Sequence, residues 1–131
     1  SDVCSSDLVP YEHPVVDSLG GPRDAADVTI VVLAAVVAAP VFEELFFRRI
    51  LLGWIDGVAP SPGGVVAIAA SALLFGLAHW GHGLAWIPLV VLGGVLGTLA
   101  RARGSLVPVI LLHALFNATS VALLVVGGSG G

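Results

Sequence analysis

The chain has 131 residues, 57% of them hydrophobic and only 11% charged, with a formal net charge of −4 and a mean hydropathy of +1.05. A soluble domain carries about 25% charged residues, so this chain has about half the charge that a water-facing surface needs, which argues against a small soluble domain. Nucleic acid is disfavoured as a partner, because the balance is acidic and lysine is absent.

Residues 1 to 27 form a polar lead-in that holds Asp2, Asp7, Glu12, Asp17, Arg23, Asp24 and Asp27, with Pro10, Pro14, Pro22 and the Gly20-Gly21 pair as breakers. Ser1 to Leu8 resemble the translated remnant of a sequencing adapter. On that reading the sole cysteine, Cys4, is not native and the fragment is N-terminally truncated. One cysteine permits no intrachain disulfide and no cysteine-based zinc finger.

After Asp27 the chain turns apolar. A first hydrophobic helix is predicted from Val28 to Trp54, with a kink at Pro40, and the glycines and prolines from Gly53 to Gly64 make a loop. A second apolar segment runs from Val65 to about Trp80 and ends at Gly81-His82-Gly83. A third runs from Leu84 to Ala100, with Pro88 and the small residues Gly93, Gly94 and Gly97, which let membrane helices approach closely. The fourth, Leu106 to Val126, is the cleanest span, and a GGSGG tail follows. Lengths of 16 to 25 residues between breakers favour helices over buried strands. The expected fold is therefore all-α, a polytopic transmembrane bundle of about four spans, with its membrane domain at residues 28 to 127 and a flexible tail at 128 to 131. Arg48 and Arg49 lie near the end of the first span, and Arg101 and Arg103 lie between the third and fourth. Both basic groups then fall on one side of the membrane, the cytoplasmic side by the positive-inside tendency.

Within lipid an ionisable side chain costs about 2.5 to 3.5 kcal/mol at a helix centre, so it tends to have a function or a partner. The stretch Glu43-Glu44-Leu-Phe-Phe-Arg48 places three such groups in one apolar helix. Glu44 and Arg48 are four apart and share a face, so they can pair. Glu43 is rotated about 100° away, which leaves it as the carboxylate without a local neutraliser. Phe75 and His79 are four apart on the second segment, and His113 and Asn117 are four apart in the middle of the fourth. Singly, each is most simply a structural group: a snorkelling helix end, or a histidine that satisfies a neighbour. Together they supply the parts for hydrolysis. A glutamate with a histidine can hold and deprotonate water, and a histidine with an asparagine can donate to the oxyanion of a tetrahedral intermediate. His13 and His82 read as solvated and incidental. No HExxH is present, so a standard zincin is excluded.

The motifs EELFFR, FGLAH and HALFN, beginning at Glu43, Phe75 and His113, resemble the three signature motifs of the CAAX-protease and bacteriocin-processing family of intramembrane proteases, also called the Abi family. The resemblance covers about residues 28 to 127. A single EExxxR is weak evidence; three motifs in order on separate apolar segments are strong. The resemblance implies an intramembrane endopeptidase in a bacterial plasma membrane, acting on hydrophobic or membrane-bound peptides, CAAX-like or bacteriocin-like. It implies that Glu43 activates water with His79 as its partner and that His113 and Asn117 stabilise the oxyanion; Glu44 and Arg48 match the remaining motif positions, and their helical spacing suggests that they orient the site. The family is often labelled metalloprotease, since two Glu and two His can bind zinc; the residues themselves favour no cofactor, because Asn117 is a poor zinc ligand and a better donor. The rival readings are a non-catalytic immunity or peptide-binding protein of the same fold, and a small transporter using Glu43 and the histidines as a proton relay.

Overall fold

A computed structural model describes residues 24 to 129. Of these residues 91% are helical and none is in a strand. The described residues up to 32 and those from 33 onward fall into two units. Most of the polar lead-in, and with it Cys4 and His13, lies outside the described residues.

Helix α1 runs from Ala25 to Val58, 34 residues. It begins three residues before the apolar run, because the Asp24 carbonyl accepts the amides of Asp27 and Val28 and the intervening Ala25 and Ala26 are strong helix formers. Hydropathy alone places the start too late. Two wide π-helical turns interrupt α1, at Ala34–Ala38 and Leu45–Leu51, on either side of Glu43 and Glu44. The expected disturbance at Pro40 thus takes the form of a wide turn ahead of the proline.

The second apolar segment differs from expectation in length. After a short 3-10 turn at Pro62–Gly64, helix α2 spans Val65–Leu77, 13 residues. At 1.5 Å per residue that is about 20 Å, short of the roughly 30 Å hydrocarbon core. The amides of Ala78 and His79 fold back onto Leu74 and Gly76, and His79 itself has left helical geometry. A 3-10 stretch, Trp80–Ala85, then carries Gly83 at a φ of 65°, a conformation that glycine adopts without steric cost. Helix α3 spans Trp86–Arg103, and Pro88 costs it no hydrogen bond because first-turn amides have no intrahelical acceptor. Gly104, at a φ of 60°, ends it. Helix α4 spans Val107–Gly128, 22 residues, running through the first two glycines of the tail. Three helical stretches are therefore long and apolar enough to cross a membrane, Ala25–Val58, Trp80–Arg103 and Val107–Gly128, with α2 as a shorter apolar companion.

Helices α2 and α3 pack backbone to backbone. A Cβ added to Gly76 would lie 2.2 Å from Val90 Cγ2 and 2.7 Å from the Trp86 carbonyl oxygen, and one added to Gly93 would lie 2.9 Å from Ala72 Cα. Small residues therefore set this distance, as the sequence suggested for α3. The bundle is apolar outside and partly polar inside. Phe42 is 74% exposed and Leu124 76%, while Glu44, Arg48, Ser71 and His113 are buried. In water such a surface would aggregate; in lipid it faces a matching solvent. The chain is an integral membrane protein by composition and helix length. Arg48, Arg49 and Arg101 line a common cleft.

Candidate active site

The wide turn that begins at Leu45 lies directly after the two glutamates, and α4 brings His113 against them. Nδ1 of His113 lies 2.7 Å from Glu44 Oε1, and its Nε2 lies 3.4 Å from Glu43 Oε2. The Glu44 side chain is fully buried and His113 is 2% exposed, whereas Glu43 retains 29% of its side-chain surface. The imidazole is thus clamped between two carboxylates, one sealed and one open. A neutral ring donates from one nitrogen only, so with Nδ1–H given to Glu44 the Nε2 atom is the one turned toward Glu43.

Glu44 is held in turn by Arg48, one helical turn on, with Nε 3.1 Å from Oε2 and both side chains buried. The contact is ionic: Nε and both terminal nitrogens of Arg48 make no hydrogen bond among the described residues. Aromatic faces take their place. The guanidinium carbon sits 4.9 Å from the centre of the Phe75 ring and 5.9 Å from that of Phe47. A desolvated cation over an aromatic face gains about 2 kcal/mol, which offsets part of the cost of burying Arg48.

Phe75 is the hub that sequence reasoning singled out only as a neighbour of His79. Fully buried on α2, its ring packs edge-on against both His113, at 5.5 Å, and His79, at 5.3 Å. His79 is half-buried, and its Nδ1 lies 2.9 Å from the Phe75 carbonyl oxygen. A carbonyl can only accept, so Nδ1 carries the proton and Nε2 is left as the acceptor of the neutral ring. Glu43 thus lies within ion-pair distance of His113, and His79 meets the cluster through the Phe75 ring. Asn117 lies one turn beyond His113 and donates from Nδ2 to the Ala35 carbonyl oxygen at 2.9 Å. That acceptor, a main-chain group, carries no residue-type signal. His82 is less incidental than expected: its Nδ1 faces the His79 carbonyl oxygen at 3.3 Å, across the turn that ends the segment.

Among the described residues no three His, Cys, Asp or Glu side chains converge so as to hold a metal ion.

The cluster thus contains a partly open carboxylate, a buried imidazole between two carboxylates and a second imidazole with a fixed acceptor nitrogen, in an apolar bundle. That is the equipment of water-dependent acyl hydrolysis. No curated protein and no solved structure matches the chain. A family model does match, that of the type II CAAX prenyl endopeptidases described as Rce1-like, over residues 25–119, a stretch that contains all three motifs. The chain belongs to this Rce1-like family of membrane proteases.

Proposed function

We propose that the protein is an intramembrane endopeptidase that hydrolyses peptide bonds of membrane-associated, CAAX-like or bacteriocin-like substrates with a water activated by Glu43. The observation that carries this reading is the asymmetry of the two glutamates: Glu44 is sealed between Arg48 and His113, while Glu43 shares the same imidazole and remains open. An open carboxylate backed by a proton-sharing ring can take a proton from water and return it.

In the proposed reaction, Glu43 removes a proton from the water as its oxygen bonds to the substrate carbonyl carbon, and the carbonyl oxygen becomes an oxyanion. His79, with Nε2 free to accept, holds the second water hydrogen. The proton on Glu43, buffered by His113, passes to the amide nitrogen as the C–N bond breaks, releasing a carboxylate and an amine. His113, held at Nδ1 by Glu44, turns Nε2 toward Glu43 and acts as its proton partner. Glu44 and Arg48 position it. No step passes through a metal. Residence in a bacterial plasma membrane belongs to the same reading, through the family's bacterial members.

The test is mass spectrometry of a peptide library, with and without lipidated C-termini, incubated in detergent with the protein and with its Glu43→Gln variant. Products that appear only with the unaltered protein support the proposal. Equal products from both remove Glu43 from the chemistry. A phenotype that survives Glu43→Gln in cells would favour the non-catalytic peptide-binding alternative.

A further inference from the structure

Asn117 donates to a carbonyl that the helix itself has orphaned. In the wide turn Ala34–Ala38 the amide of Ala39 bonds back to the Ala34 carbonyl oxygen, five residues earlier. In the same register the next amide, at position 40, would serve Ala35, but residue 40 is proline and has no N–H. The proline ring also crowds the carbonyl four residues before it, so a widened turn just ahead of Pro40 relieves a clash and leaves one acceptor unmet. That acceptor is the Ala35 carbonyl, half-buried in a segment without water to satisfy it. Asn117 Nδ2 fills the vacancy at 2.9 Å from α4, 82 residues away in sequence. The orientation of the amide is forced, because only its nitrogen can face a carbonyl oxygen.

We propose that Asn117 is a positioning residue that acts through the Ala35 carbonyl: it stabilises the wide turn made by Pro40 and so sets the rotation at which Glu43 and Glu44 are presented to His113. Each residue adds about 100° of rotation, so closing the wide turn to an ordinary one would swing both glutamates away from the ring. Asn117 and His113 lie on adjacent turns of α4, which ties the latch and the imidazole to one rigid element.

The test is a double-mutant cycle between Asn117→Ala and Pro40→Ala, read as thermal midpoint in detergent and as kcat and KM on any peptide that the unaltered protein cleaves. Alanine at position 40 restores an N–H, so the Ala35 carbonyl no longer needs Asn117. In the native background Asn117→Ala is expected to lower the midpoint by about 4 °C or more, and in the Pro40→Ala background by no more than about half of that. Equal losses in both backgrounds would overturn the proposal. Should Pro40→Ala fail to fold, Asn117→Leu keeps it falsifiable: the isosteric apolar side chain should also lower the midpoint, and an unchanged or raised midpoint overturns the latch. In the kinetic arm, which rests on the endopeptidase reading, Asn117→Ala lowers kcat with KM unchanged, and the same substitution costs no more than about threefold once Pro40 is alanine. A direct oxyanion donor would lose about 10²- to 10³-fold in either background, and that result too would overturn it. The midpoint arm needs no substrate, so failure of the protease reading leaves the latch independently decided.

Discussion

Glu44 Oε1 and His113 Nδ1 meet at 2.7 Å across 69 residues of sequence, both side chains excluded from solvent. This contact fixes α4 against α1 and hands the second ring nitrogen to Glu43. On the proposed reading the two glutamates, adjacent in sequence, divide the tasks: Glu44 is structural and electrostatic, Glu43 chemical.

Glu43→Gln keeps the shape and hydrogen-bonding capacity of a side chain that is only partly buried, so the bundle should retain its thermal midpoint. Loss of the base should lower kcat by about 10²- to 10⁴-fold. Parallel measurement of midpoint and turnover checks this; a large fall in the midpoint would assign Glu43 to folding.

Glu44→Gln should behave in the opposite way. It leaves Arg48 as a buried cation without a counter-charge, and breaking a buried pair costs roughly 3 to 5 kcal/mol. The Asp56–Arg101 pair, with side chains 29% and 37% exposed, is the internal control. Asp56→Asn should cost at most about 1 kcal/mol. Unfolding of the variants side by side checks the ranking.

The α2–α3 contact predicts a contrast among glycines. Gly76→Ala and Gly93→Ala place a methyl group against main-chain atoms of the facing helix and should destabilise by about 1 to 3 kcal/mol. Gly94→Ala, whose Cβ would meet nothing within 4 Å, should be neutral or stabilising by up to about 1 kcal/mol through helix propensity. Stability of the three variants in one detergent decides it.

Exhaustive chelation should leave turnover unchanged, because the proposed chemistry uses chain residues alone. Metal content and cleavage rate are measured before and after treatment. Activity that is lost on chelation and restored by zinc would replace this mechanism with a metal-dependent one.

The resemblance of three short motifs already pointed to the family, and composition alone established a helical membrane protein, because runs of apolar residues with so few charges can be solvated only by lipid. The Glu44–Arg48 pair was equally legible, since i and i+4 spacing on one helix is local geometry. Helix ends were less so: α1 starts earlier than its hydropathy, through alanine propensity and the Asp24 carbonyl, and α2 stops earlier, where its last amides fold back to carbonyls three and four residues behind. What only the tertiary structure decided is which glutamate pairs with which histidine, and where the Asn117 amide goes. Spacing places side chains on a face of their own helix but carries no information on the distance to another. That distance was set by glycine contacts between α2 and α3, by the Phe75 ring between two imidazoles, and by wide turns around Pro40 whose hydrogen bonds are completed from 82 residues away.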